Sequence, residues 1–364
     1  MSPHPTAPPI HAGVIGFGYA TETFHAPLLR ATPGLHLTAV ASTRAAEVRA
    51  ALPEVEVAPD PAALLRHPEL DLIVIATPNE THAPLAEAAL RAGCHVVVDK
   101  PFTVTLAEAR HLADLARESD RVLSVFQNRR WDSDFLTAQD ALRRGLLGRP
   151  ALCESRFDRF RPEVRDRWRE GTAPGTGLLY DLGPHLIDQA LVLFGLPDTV
   201  GATLARQRPG ARSDDYFHLV LRYGERLVVT LQAGMLVAGG SSRFILHGDR
   251  ASLVKHKADI QEDQLRAGML PGAPEWGVDL DDAVLFDGAT GERDAVRAVP
   301  GDQRRYYAAM REAIHRRAPN PVSPEQGATV IALIEAALRS GTEGRRIAPD
   351  LRDDERAAWS AASA

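Results

Sequence analysis

Residues 12–21, Ala12-Gly13-Val14-Ile15-Gly16-Phe17-Gly18-Tyr19-Ala20-Thr21, decide the fold. An apolar run ends in a Gly-x-Gly turn, and a helix-like stretch follows. Glycine at 16 permits a tight turn, and glycine at 18 lets the backbone approach a pyrophosphate at a helix N-terminus. Thr21 stands where a third glycine or alanine is usual, so helix and strand are expected to sit slightly further apart there. Outward from this turn, short apolar blocks recur at 35–42, 71–77, 94–99 and 122–126. They are continuous instead of alternating, as strands buried on both faces are. Amphipathic segments at 80–92 and 105–118 lie between them. Strand, helix, strand, repeated, predicts a doubly wound parallel sheet over 12–127, with its ligand at the carboxyl ends of the strands.

The end of the second strand bears on cofactor choice. NAD sites usually carry an acid about 20 residues beyond the turn, to hold the ribose 2′-hydroxyl. Here Ala41-Ser42-Thr43-Arg44 offers none, and the next acid is Glu47. Ser42, Thr43 and Arg44 suit a 2′-phosphate, so NADP is expected over NAD.

After residue 127 the texture changes. Residues 132–145 read as a helix. Strand-like runs follow at 151–160, 199–206, 215–223, 226–236 and 242–247, two of them joined as a hairpin at Gly224-Glu225. They predict an α+β second domain over 128–349 with an open, mostly antiparallel sheet. Residues 321–340 read as a helix that starts at Pro324, stops at Gly341 and packs back on the first domain. Residues 1–11 read as a loose tail and 350–364 as a polar one, frayed or forming an extra helix. The 364 residues suit two domains at roughly 100–200 residues each.

Composition sets limits. The net charge is −6, which disfavours nucleic acid and anionic membranes as partners. There is no apolar run of about 18 residues and no signal-like segment, so a cytoplasmic location is expected. Cys94 and Cys153 lie in no metal-type spacing and read as buried free thiols. Only three of the 42 basic residues are lysines, Lys100, Lys255 and Lys257, and only three asparagines occur, Asn79, Asn128 and Asn320. Lys100, Asn79 and Asn128 all fall in strand-end segments. Residues 156–170 interleave arginines with acids, and predict an ion-paired segment over the cleft.

Three of those strand-end segments are Ala76-Thr77-Pro78-Asn79-Glu80-Thr81-His82, Asp99-Lys100-Pro101-Phe102 and Gln127-Asn128-Arg129-Arg130-Trp131. Further on come Trp168-Arg169 and Tyr180-Asp181-Leu182-Gly183-Pro184-His185-Leu186-Ile187-Asp188. A helix through 181–194 would put Asp181, His185 and Asp188 on one face, with its start close to Asp181. That geometry permits a metal, but no third histidine or cysteine has suitable spacing, so none is expected.

Together these segments resemble the Gfo/Idh/MocA oxidoreductase family over about residues 10–345. Asp99-Lys100-Pro101 is similar to its Glu-Lys-Pro motif, with Asp for Glu, and Asp181-x-x-x-His185 to its second-domain pair. The wording of several segments resembles a subgroup that includes scyllo-inositol dehydrogenases using NADP. The resemblance implies hydride transfer between nicotinamide C4 and a secondary alcohol or ketone of a polyol or sugar, a cyclitol first among them. It implies His185 as general base, Lys100 polarising the reacting oxygen, and Asp181 holding the His185 ring or a neighbouring substrate hydroxyl. A cis Lys100–Pro101 bond is implied as well. Thr77, Pro78, Asn79, His82 and Asp99 would line the cofactor path, and Trp168 and Arg169 would close over it. Asn128, Arg129 and Asp188 would contact substrate hydroxyls or neighbour the site. An aldose, a deoxysugar or a dihydrodiol as substrate, and a cofactor-binding protein without turnover, are the alternatives. The open sheet predicts a homodimer or homotetramer.

Overall fold

The computed structural model describes residues 8–360. Six parallel strands form the first sheet: β1 (Ile10–Ile15), β2 (Leu35–Ala41), β3 (Glu56–Ala58), β4 (Leu72–Ile75), β5 (His95–Asp99) and β6 (Leu123–Phe126). Their order is β3-β2-β1-β4-β5-β6. The order reverses direction between β1 and β4, and a doubly wound sheet opens its ligand crevice at that point. β4 is buried along its whole length, as its unbroken Leu-Ile-Val-Ile requires. β1 starts at Ile10, so residues 10 and 11 belong to the sheet and not to a tail; residues 1–7 lie outside the described residues. The short edge strand β3 has no apolar run of its own and escapes the sequence pattern.

The second sheet has eight strands: β7 (Pro150–Arg156), β8 (Thr199–Ala205), β9 (Tyr216–Tyr223), β10 (Leu227–Gly234), β11 (Phe244–Gly248), β12 (Ala251–Lys255), β13 (Ala283–Asp287) and β14 (Arg293–Val296). Their order is β14-β13-β12-β11-β7-β10-β9-β8. Only β7 and β10 run parallel; every other pair is antiparallel. β9 and β10 form the expected hairpin, turning at Gly224 with φ of 56°. Alternate β9 residues are buried, and the helix Leu178–Phe194 packs on β9 and β10.

Three helix boundaries differ from the sequence reading. The helix carrying Asp181 begins at Leu178 with Gly177 as its cap, so Asp181 lies inside the first turn and is not an N-cap. The helix Pro324–Glu343 is capped by the Ser323 side chain and runs through Gly341 to a left-handed Gly344. Residues Asp353–Ser360 form a docked helix and not a free tail: Trp359 is 1% exposed, and the buried Glu355 carboxylate takes Arg110 Nε at 2.7 Å. Helix Pro324–Glu343 packs on helix Leu106–Glu118 and β6 of the first sheet, and on β8 of the second. Among the described residues no helix is long and apolar enough to cross a membrane. Both cysteines are buried and free.

Candidate active site

The turn after β1 is built as its glycines require. Gly16 has φ of 99°, and a Cβ there would lie 2.4 Å from the Ala76 carbonyl oxygen. A Cβ on Gly18 would meet only an Arg44 guanidinium nitrogen at 3.7 Å, so the backbone is bare where a phosphate would rest. The Thr21 hydroxyl donates to the Gly16 carbonyl at 2.8 Å and closes the turn. The helical stretch 19–30 contains a π-helical segment at Thr21–His25, an irregularity common at functional sites. Helix N-terminus, open glycine and exposed Arg44 fit a dinucleotide phosphate.

Arg44 stacks over the Phe17 ring at 5.7 Å and pairs with Glu47 at 2.8 Å. Its backbone N–H donates to the Ser42 hydroxyl at 3.0 Å. Ser42, Phe17 and Arg44 thus border one edge of the turn, and the Thr43 side chain makes no polar contact among the described residues. At the next strand end, Thr81 donates to Thr77 at 2.6 Å, and Asn79 donates to the Gly175 carbonyl at 2.7 Å. That second bond ties the strand end following β4 to the loop before helix Leu178–Phe194. Both His82 ring nitrogens face carbonyls, of Pro101 at 2.8 Å and Thr77 at 3.0 Å. Burial lowers its pKa, with Asp99 opposing, so a neutral ring donates to only one of them.

The chemistry-bearing residues meet in a cavity of about 520 Å³ beside this turn. Tyr19 and Ala20 line it from the turn, and Asp99 and Lys100 from β5. Asn128 and Arg129 line it from beyond β6, and Asp181 and His185 from the facing helix. The Lys100–Pro101 bond is cis. Lys100 Nζ donates to the Asp181 carbonyl at 2.7 Å and lies 3.2 Å from its carboxylate. Burial lowers the Lys100 pKa, and the Asp181 charge opposes the shift. Burial acts to raise the Asp181 carboxyl, but Lys100, Arg169 and Arg159 outweigh it and hold the group well below its usual range. His185 is pushed well below its ordinary pKa, by burial first and then by Lys100 and Arg129. Its Nδ1 is buried with no hydrogen-bond partner among the described residues. No hydrogen bond joins Asp181 to the His185 ring among the described residues; its Oδ1 faces Lys100 at 3.2 Å and Arg169 at 3.5 Å.

Two other expected residues stand apart from the cavity. Asp188, 1% exposed, forms a two-pronged pair with Arg130 at 2.6 and 2.8 Å. It shares the helix face of His185, but its carboxylate is turned to Arg130 and does not reach the lining. Trp168 does not line the cavity either; it carries the Arg169 guanidinium on its ring at 4.5 Å, and Arg169 reaches the cavity. Asn128 is anchored by Gln303 at 3.1 Å. Tyr19 donates to Glu262 at 2.6 Å, and Glu262 accepts from Arg129 at 2.8 Å, so these three span the cleft. Glu262 and Arg266 were not legible in the sequence, since the short helix Gln261–Arg266 carries no motif.

The interleaved segment does lie over the cavity, but its acids do not neutralise it. Arg159, Arg161, Arg165, Arg167 and Arg169 all face inward. Of the acids, Glu170 pairs with Arg167 and the buried Arg208, and Asp166 reaches only Arg212 at 3.6 Å. Beyond β7 the segment bends irregularly and ends in a 3-10 turn at Trp168–Glu170, and this path brings the five arginines to the cavity. Among the described residues no group of three histidine, cysteine, aspartate or glutamate side chains is arranged to hold a metal.

This arrangement defines a nicotinamide-dependent oxidoreductase, with a Rossmann domain and a second domain that closes the site. Two family models match the chain: the oxidoreductase family's NAD-binding Rossmann fold over 10–127 and its C-terminal alpha/beta domain over 139–348. The chain belongs to the Gfo/Idh/MocA oxidoreductase family. It is 52% identical to the uncharacterized oxidoreductase YdgJ of Escherichia coli, over 91% of this chain and 96% of that one. It is 38% identical to IolW of Bacillus subtilis, named scyllo-inositol 2-dehydrogenase (NADP(+)), over 93% and 95%. A crystal structure from Klebsiella pneumoniae, 51% identical, superposes with a TM-score of 0.91 over 97% of this chain and 99% of that one.

Proposed function

We propose that the protein is an NADP-dependent dehydrogenase acting on a secondary alcohol, or its ketone, of a polyol or sugar. One observation carries the reading: Lys100, Asp181 and His185 converge on a single cavity at the carboxyl end of β5, beside the Gly16–Gly18 turn. The preference for NADP rests on Arg44 above Phe17 with no acid at the end of β2. The name of the Bacillus subtilis relative, an NADP(+) scyllo-inositol 2-dehydrogenase, supports it and makes scyllo-inositol the first specific substrate to assay.

When bound, the nicotinamide accepts or supplies a hydride at C4. His185 is neutral at physiological pH and takes the alcohol's proton as the C–H bond gives up its hydride; in reduction it returns that proton. With Nδ1 sealed in protein, Nε2 is the nitrogen that does so. Lys100 donates to the reacting oxygen and steadies the charge developing there. Asp181 holds Lys100 in place through its carbonyl and Oδ1, leaving Oδ2 for a substrate hydroxyl. Asn79, His82 and Arg169 shape the cofactor side, and Asn128 and Arg129 the substrate side. The protein is further proposed to assemble through the second sheet as a homodimer or homotetramer, which light scattering checks directly.

The test is a panel of inositols, aldoses and sugar acids, each with both cofactors, followed by the absorbance of reduced nicotinamide. Turnover favouring NADP supports the reading. A clear NAD preference removes the cofactor assignment. NADPH binding without turnover on any compound removes the enzymatic one.

A further inference from the structure

The charge of the cavity is out of proportion to what a neutral polyol needs. Eight cationic side chains line it against three carboxylates. Each carboxylate is already engaged. Asp99 accepts from the Lys100 backbone N–H at 2.8 Å, Asp181 faces Lys100 and Arg169, and Glu262 takes Tyr19 and Arg129. Arg159, Arg161 and Arg165 are left with no ion pair among the described residues, although Arg159 and Arg161 are half-buried. Unpaired charge withdrawn from water is costly, and a fold keeps it where a ligand completes the pair.

Their position excludes the dinucleotide turn as the obvious partner. Arg159 and Arg161 continue the line of β7, their backbone N–H groups bonded to the Gly234 and Met235 carbonyls at the end of β10. They therefore belong to the second sheet, on the side of the cleft opposite the Rossmann strands. Gly16, Gly18 and Arg44, where the cofactor phosphates would rest, do not line this cavity, whereas Lys100, Asp181 and His185 do. The fields of neighbouring cations reinforce the point. The Arg159 and Arg161 pKa values are lowered, by burial first, with Arg129 and Arg167 among the cations acting on Arg159, and Arg159 and Arg165 among those acting on Arg161.

We propose that the substrate is an anionic polyol or sugar, whose carboxylate or phosphate is received by Arg159, Arg161 and Arg165 while its carbinol faces Lys100 and His185. Guanidinium forks match both oxyanions in two-pronged geometry, and a cationic cleft speeds the capture of anions. This inference rests on the dehydrogenase reading above and narrows its substrate class.

The experiment titrates the NADP⁺-loaded protein calorimetrically with three series: neutral polyols and aldoses including scyllo-inositol, hexuronates and aldonates, and hexose and inositol phosphates. Every compound is also assayed for turnover. The expected result is that one acidic series binds at least about tenfold more tightly than its neutral counterparts, with an advantage that shrinks as salt is raised. Which series wins tells carboxylate from phosphate. The double variant Arg159→Gln/Arg161→Gln should erase the advantage while NADPH affinity, read by fluorescence, stays within about threefold. Neutral compounds binding as well as acidic ones, or a variant that loses NADPH instead, overturns the proposal. Turnover confined to neutral polyols leaves the dehydrogenase reading intact and sinks this one. Arginine-dependent acid binding without turnover does the reverse.

Discussion

Lys100 reaches from the end of β5 to the facing helix, where its Nζ meets the carbonyl of Asp181 at 2.7 Å and its carboxylate at 3.2 Å. The lysine is thereby fixed by the second domain, although the first domain carries it. Replacement by methionine keeps the aliphatic stem and removes only the ammonium. Lys100→Met should cut kcat by about 10²-fold or more, as the loss of a single oxyanion donor does, with NADPH binding retained. Wild-type turnover by the variant would remove Lys100 from the mechanism.

His185 is held below its ordinary pKa of 6.5 by burial and by Lys100 and Arg129. The base is active when unprotonated, so kcat/KM for oxidation should stay level down to 6.5 and fall only below it. His185→Asn should lower the rate and abolish that acid limb. A limb centred above neutrality in the wild-type protein, or one that survives in the variant, contradicts the assignment.

Arg44 stands at the Phe17 ring, and among the described residues its carboxylate partner is Glu47. Arg44→Ala should reduce kcat/KM with NADP by about tenfold or more, the scale of one charge-assisted contact, and leave NAD nearly unchanged. Equal losses with both cofactors would mean that the residue supports the turn and does not read the 2′-phosphate.

Stability should decline in mild acid. Burial lowers the pKa of His25 and of His95 to about 4, against 6.5 for the free side chain. As pH falls through 6.5 the unfolded chain takes up these protons and the folded one does not, so the contribution present above 6.5 is progressively lost and is gone near 4. Thermal unfolding followed across this window should show Tm falling steadily, with a shallower slope in His25→Gln. A flat Tm would show that neither site couples to folding.

Trp359 fills a buried site on the last helix, with the Arg130 guanidinium 5.5 Å from its ring. Trp359→Ala should cost about 3–5 kcal/mol, the range for a large aromatic removed from a core. Chemical denaturation measures this, and a loss below about 1 kcal/mol would show that the helix is dispensable.

The sequence carried the architecture because each layer obeyed a local rule. Unbroken apolar runs marked β4 and β5, and the Gly16–Gly18 turn marked the crevice. Most of the candidate site was legible for the same reason: Lys100, Asn128, Arg129, Asp181 and His185 sit at strand ends or at helical spacing, and the fold brings them to one cavity. Asp188 shows the limit of spacing arguments. It shares a helix face with His185 in projection, but Arg130 was there to claim it. The arginine-rich segment was misread because a list of residues cannot say which side chains an irregular loop turns toward a cleft. Glu262 arrives from 243 residues beyond Tyr19, with Arg266 on the same helix of six, and only tertiary structure places them.

The chain completes its first domain last. β6 donates its Val125 N–H to Val322, Ser124 bonds to the same carbonyl, and Leu106 and Arg110 are held by Glu335 and Glu355. During synthesis the Rossmann half therefore leaves the ribosome with one flank uncovered, and waits for some two hundred intervening residues before that flank is sealed. Cutting the gene near residue 127 would not release a self-sufficient nucleotide-binding module, because the closing piece of that module is encoded at the other end.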